Sequence, residues 1–325
     1  MAVKRIIDLP TDHNPSASDY IAIDGATTRG TQLQDLIKPI PAFVGDSGSG
    51  GTKGLVPAPA TGDAAAGKVL GSGGGWVLPP SAGALGQCRL VKSGANIVLQ
   101  PFNGNLLAIN GTNQTIPAAG VSLAPTGLTP STAYFIYAYM NSGTMTLEAS
   151  TTAHSTDASS GVEIKSGDAT RTLVGWARPI TGPAFADSAT QRLVLSWFNQ
   201  RDLQLLGAFT TGRSTSSASY AEVNTEIRVE FGCWGTSAVK ATFAGNWQSS
   251  SGVALNYAGI AFDGVTPGGG VIQSSTNLSL PASLSRAADL AEGYHYATLT
   301  AKVSASTILF AGGTDGSVLQ VVMRG

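Results

Sequence analysis

The chain has 325 residues, room for two or three domains, with 12% charged residues, 41 glycines and a net charge of −1. A charge this low and balanced excludes the electrostatic footprint of a nucleic-acid or anionic-membrane binder. No apolar run reaches the roughly 18 residues that cross a bilayer, so no membrane insertion is expected. The opening MAVKRIIDLPTDHN lacks the apolar core and small-residue cleavage site of a secretory signal. Cys88 and Cys233 lie far apart in unlike contexts and read as reduced thiols in apolar surroundings.

Residues 1–42 read as a small α+β unit. Val3–Leu9 and Tyr20–Ile23 suit short strands, the second ending at a tight-turn Asp24-Gly25. Thr31 suits a helix N-cap with Gln34 three residues on, as in a capping box. Pro39 ends that helix. Ile6, Ile7, Leu9, Leu33, Leu36 and Ile37 are too few to form a strong core alone, and they would gain from burial against a larger body.

Residues 43–80 are almost all Gly, Ala, Pro and Ser, with isolated larger residues such as Leu55, Val69 and Trp76. Alone, such a segment buries too little apolar surface to offset its ordering entropy. It is either a loose linker or a neck ordered against identical copies of itself. The flanking sequence favours the neck, and with it association of several chains.

From residue 81 the pattern is β. Asn103-Gly104 sits between the apolar runs Ile97–Phe102 and Asn105–Ile109, and Asn110-Gly111 closes the second run, the strongest short hairpin signal available. Ala133–Met140 turns at Asn141-Ser142-Gly143 into Thr144–Ala149, and Arg171–Ala177 and Gln191–Phe198 complete a β-sandwich module over 81–206. Phe209–Ser219 reads as a polar loop. Thr225–Trp234 then alternates Ile227, Val229, Phe231 and Cys233 against Glu226, Arg228 and Glu230. Ala238–Phe243, Val253–Phe262, Tyr294–Val303, Thr307–Phe310 and Val318–Met323 come next at sandwich spacing, a C-terminal head over 207–325.

Three stretches carry a family resemblance. KRIIDLP with DYIAIDGATTRGTQLQDLI, then GDSGSGGTKGLVPAPATGDAAAGKVLGSGGGWVLP, then TRTLVGWARP with DSATQRLVLSWFNQR are similar to segments of bacteriophage fibre proteins. The likeness covers the first 80 residues well, 165–201 moderately, and the last 120 only in general look. It implies a mainly β, homotrimeric virion fibre with a jelly-roll-like head. The apolar set Ile6, Ile7, Leu9, Leu33, Leu36 and Ile37 would dock on another virion protein of the portal, collar, baseplate or capsid. The head would touch a host cell-surface glycan. A purely structural decoration, collar or head fibre is the alternative.

Motifs for chemistry are weak. Gly62–Val69 nearly matches a phosphate loop, but Val69 stands where Ser or Thr must hold magnesium. GDSGSGG at 45–51 resembles a serine-protease nucleophile loop but lacks the supporting β-barrel pattern. His13, His154 and His295 are scattered, and no carboxylate pair stands out for sugar cleavage. The sequence therefore reads as a non-enzyme without cofactor or metal. Aromatics are better candidates, since rings stack on sugars. Trp234 and Phe262 read as core, whereas Trp247, set among Asn246, Gln248 and Ser249–Ser251, reads as exposed. Trp247, Tyr257, Tyr294 and Tyr296 are the expected glycan contacts.

Overall fold

The computed structural model describes residues 20–23, 29–32, 56, 59–63, 68–77, 86–235, 237–250, 254–266, 270–272, 278–314 and 316–325, the first two segments and 271–272 by backbone alone. The described residues are mainly β and include no α-helix. The chain divides into two compact units, Met1–Ala82 and Gly83–Gly325.

In the first unit, β1 (Tyr20–Ile23) pairs antiparallel with β2 (Arg29–Gln32), Ile21 opposite Thr31. Thr31 and Gln32 are therefore strand residues, and no capping-box helix begins at Thr31. Ile6, Ile7, Leu9, Leu33, Leu36 and Ile37 lie outside the described residues. β3 (Val69–Leu70) and β4 (Trp76–Val77) form a small hairpin in the Gly/Ala/Pro segment. Beside it, Lys68 of the near phosphate-loop match donates to Asp63 Oδ1 at 2.6 Å.

The second unit opens with β5 (Cys88–Ser93), β6 (Asn96–Pro101), the hairpin β7 (Leu106–Ile109) and β8 (Thr112–Thr115), and β9 (Val121–Leu123). Asn110 and Gly111 both take positive φ, 51° and 69°, at the β7–β8 turn, as the Asn-Gly signal requires. The other Asn-Gly step joins no hairpin. β6 pairs with β5 and β9, and the Gln87 side chain accepts from the Asn105 and Leu106 amides just past Asn103-Gly104.

Next come β10 (Tyr134–Asn141), β11 (Thr144–Ser150), β12 (His154–Thr156), β13 (Glu163–Lys165), β14 (Asp168–Ala177), the short pair β15 (Pro179–Ile180) and β16 (Ala184–Phe185), then β17 (Gln191–Arg192) and β18 (Val194–Ser196). The order β11-β10-β14-β13-β12, with β18 on β14, gives a central sheet. A bulge shifts the β10–β14 register between Ile136 and Tyr137. The extra residue flips the alternation. Val174 and Ala177 thus enter the core shared with Leu90, Leu99 and Leu107. Leu173 and Trp176 enter the opposite core with Phe231 and Phe243.

β19 (Asp202–Ala208), β20 (Arg213–Thr215), β21 (Ala221–Glu222), β22 (Val229–Cys233), β23 (Ala238–Ser249), β24 (Asn256–Phe262), β25 (Gly270–Ile272), β26 (Leu280–Asp289), β27 (Gly293–Val303), β28 (Ile308–Phe310) and β29 (Val318–Arg324) form two facing sheets. One has the order β17-β22-β27-β24-β25 with β21 on β27, the other β19-β29-β23-β28-β20 with β26 on β23. Ile227, Val229, Phe231 and Cys233 are buried together, as their alternation predicts. Thr225–Ile227 is instead one 3-10 turn capped by Asn224. Phe209–Ser219 is not all loop, because β20 lies within it and pairs with β28. A module boundary at 206/207 falls inside β19, and Tyr137, Leu173, Trp176 and Leu195 share one core with β22–β29. Gly83–Gly325 is a single body because its central sheet buries both faces.

Candidate functional site

The candidate site is the outer face of the β17-β22-β27-β24-β25 sheet. On β27, Ala297, Leu299, Ala301 and Val303 point into the core. Residues two apart on a strand share a face, so Tyr294, Tyr296, Thr298, Thr300 and Lys302 point outward. Register places Glu230 opposite Tyr296 and Tyr257 opposite Lys302, which brings them to the same side.

Every tyrosine on this face meets a cation. Arg178 lies 3.9 Å above the Tyr294 ring and Arg228 lies 4.2 Å above Tyr296. Lys302 Nζ sits 4.6 Å from Tyr257 and 4.8 Å from Tyr220. These contacts attract the cation to the ring quadrupole.

The two ends of the face differ. At one end Tyr294 donates its hydroxyl to Glu230 Oε1 at 2.5 Å, and Gln191 donates to Oε2. Burial first and that hydrogen bond second push the Tyr294 phenol well above its ordinary value. Arg228 forms a fork on Glu222, with Nε–Oε1 at 3.0 Å and Nη2–Oε2 at 2.5 Å. Burial alone would raise the Glu222 carboxyl, but donors from Arg228 and Thr298 hold it below the carboxylate norm. The middle is closed: Thr298 and Thr300 are 1% and 3% exposed. At the far end, about 26 Å along the strand, Lys302, Tyr220 and Tyr257 are each partly exposed.

Three of the four expected aromatic contacts thus share a face, split between its ends. The fourth does not join them. Trp247 is 1% exposed and packs among Phe243, Phe310 and Ala282. Its polar neighbours alternate to the outside, while the tryptophan faces inward with Phe243. A ring so covered cannot stack on a sugar. Trp234 and Phe262 are core residues, as their sequence context indicates. The sequence singles out Tyr257, Tyr294 and Tyr296 but not Tyr220, Arg178 and Lys302, whose relevance depends on how the strands bring them together.

A second polar cluster lies at the seam between the central sheet and β22–β29. His154 Nδ1 is 2.5 Å from Glu163 and Nε2 is 3.1 Å from Glu292. Its ring also meets Phe135 and Trp197, both with centroids at 5.4 Å. His154 is pushed up to about 8, chiefly by Glu292, against desolvation and with help from Glu163. Elsewhere, His295 is held by Asp263 at 2.7 Å and the Ala291 carbonyl at 2.8 Å. Both thiols are free and buried, which pushes Cys88 up to about 12 and Cys233 to about 11.

No protein-family model and no curated protein matches the chain. Among solved structures, dimeric latent PorU from Porphyromonas gingivalis is 11% identical with a TM-score of 0.27, over 58% of this chain and 18% of that one. The VP2 subviral particle of infectious bursal disease virus is 15% identical with a TM-score of 0.24, over 46% and 44%. BuGH86 in complex with neoagarooctaose is 8% identical with a TM-score of 0.22, over 72% and 33%. The chain spans less than half the length of these three proteins, and TM-scores this low assign nothing.

Proposed function

We propose that the chain is the subunit of a bacteriophage virion fibre, homotrimeric, anchored through residues 1–42 and ending in a jelly-roll-like head that adheres to a host-surface glycan. Phage origin rests on the three sequence stretches quoted above. Adhesion rests chiefly on one observation: Tyr257, Tyr294 and Tyr296 share the outer face of one sheet. Aromatic faces with polar neighbours suit sugars, and three copies on one trimer would multiply a weak contact by avidity. Trimerisation draws support from the opposite sheet, whose outer face exposes Leu206 at 47% and Val322 at 40%.

The runner-up, a structural fibre without a receptor, draws support from the cations already seated on each tyrosine of that face. The decisive experiment measures binding of labelled full-length protein to encapsulated bacteria, with and without the isolated surface polysaccharide as competitor. Saturable binding that the polysaccharide displaces supports adhesion. Absence of binding across a broad panel of strains favours the structural fibre.

A further inference from the structure

The far end of the tyrosine face carries an uncommitted charge. Lys302 Nζ lies between the rings of Tyr220 and Tyr257, 4.8 Å and 4.6 Å from their centroids. Neither a carboxylate nor a hydrogen-bond acceptor holds it among the described residues. Four arginines in or beside these sheets are held instead. Arg228 is forked on Glu222, Arg213 donates twice to Glu226 Oε2, Arg192 pairs through one nitrogen with Asp187, and Arg286 donates to the carbonyls of Ile260 and Val265. An ammonium has three donors and no acceptor, and here all three are free.

The two phenols beside it are equally uncommitted. Tyr294 commits its hydroxyl to Glu230. Tyr220 and Tyr257 make no hydrogen bond among the described residues, although both are partly exposed. Burial first, and Tyr257 second, push the Tyr220 phenol above its ordinary value, so that hydroxyl stays protonated at neutral pH. One cation and two hydroxyls therefore lie together beside two aromatic rings, with no ion-pair or hydrogen-bond partner for any of them among the described residues.

We infer that Lys302, Tyr220 and Tyr257 form a subsite for a carboxylate-bearing sugar, a uronic-acid residue of an acidic host polysaccharide. The carboxylate pairs with the Lys302 ammonium in a charge-assisted hydrogen bond, the strongest kind available to a sugar. The phenols bond ring hydroxyls of the same sugar. A neutral sugar would forfeit the ion pair and leave the Lys302 charge unmatched. This rests on the adhesion reading and narrows it to acidic glycans.

The test uses full-length protein on an array of bacterial polysaccharides, each printed native and after chemical reduction of its carboxylates to alcohols. Wild type binds native uronic-acid polymers, loses at least tenfold on their reduced forms, and weakens as salt rises. Lys302→Gln and Tyr257→Phe each weaken native binding about tenfold with unchanged melting temperature. Equal binding before and after reduction, or full binding by Lys302→Gln, overturns the inference while leaving adhesion standing. No binding to any polysaccharide sinks both.

Discussion

His154 and Glu292 are 138 residues apart in the chain, yet Nε2 of one lies 3.1 Å from Oε2 of the other. The contact ties the central sheet to the β26–β27 turn, with Glu163 holding the other ring nitrogen. Trp197 and Trp234 stack edge-on beside it at 5.0 Å, and Trp234 donates to the Ser196 carbonyl at 3.2 Å. The seam is therefore polar at its rim and aromatic beneath, and its rim titrates.

The consequence is a pH-dependent stability with a definite sign. A histidine raised in the folded state stabilises fully below its unfolded value of about 6.5 and stops doing so as pH rises through about 8. Glu163 and Glu292 supply the charge, and the neighbouring Tyr137 and Cys233 remain neutral in that window because burial raises both. Denaturant unfolding at pH 6 and pH 9 should differ by on the order of 1 kcal/mol after allowance for solvent screening. His154→Gln should flatten that difference. A wild-type curve equally stable at both values would remove the seam pair as a contributor.

Trp247 belongs to the core, so its loss should lower stability. Trp247→Ala should cost roughly 3–5 kcal/mol, as for other buried tryptophans. Its indole Nε1 has no hydrogen-bond partner among the described residues, so Trp247→Phe removes an unsatisfied donor along with some volume. That variant should be markedly milder than alanine. Calorimetric midpoints for the pair decide it: near-native melting of Trp247→Ala would mean the ring is not packed as described.

Gly175 sits at the β14 bulge, where a Cβ would approach the Leu195 carbonyl oxygen and Leu90 Cδ2, both at 2.4 Å. One contact is backbone, so the strain cannot be relieved by a rotamer change. Gly175→Ala should destabilise by about 1–3 kcal/mol or more. Gly143→Ala, with open space around a positive-φ turn, should cost about 1 kcal/mol through backbone strain alone. If both variants cost the same in urea titrations, the bulge is not tightly packed.

Strands with branched or aromatic alternation are legible in the sequence, as Thr144–Ala149 and Tyr294–Val303 illustrate. β26 is not, because Leu280–Asp289 is mostly Ala, Ser and Pro. Its strand state comes from ten-residue pairing with β23, a tertiary cause that local propensity does not encode. Trp247 looks exposed in sequence because its immediate neighbours are polar, although position 247 has the same parity as buried Phe243. Tyr257, Tyr294 and Tyr296 stand out by residue type alone. Lys302 does not, since only the register Tyr257–Lys302 and the approach of Tyr220 give it meaning.

Oligomerisation is the next expectation. Leu206 and Val322 lie on neighbouring strands and face outward, with Leu206 opposite Gln320 and Gln204 opposite Val322. Light scattering of the full-length protein should give about three times the 33.0 kDa chain mass. Leu206→Lys should lower that mass while circular dichroism stays β. A stable wild-type monomer at micromolar concentration would refute the trimer.

The tyrosines should separate by role. Tyr294 commits its hydroxyl to Glu230 and its ring to Arg178, so it is bound into the fold. Tyr294→Phe keeps the ring and loses a bond to a charged acceptor, a cost of roughly 1.5–3 kcal/mol in stability. Cell binding should be unchanged. Tyr257→Phe deletes a hydroxyl with no hydrogen-bond partner among the described residues, so stability should hold while binding falls. Thermal melts and cell-binding curves on the two variants read both quantities. The reversed pattern, with Tyr294→Phe weakening binding and Tyr257→Phe lowering the melting temperature, would move the contact surface to the Glu230 end of β27.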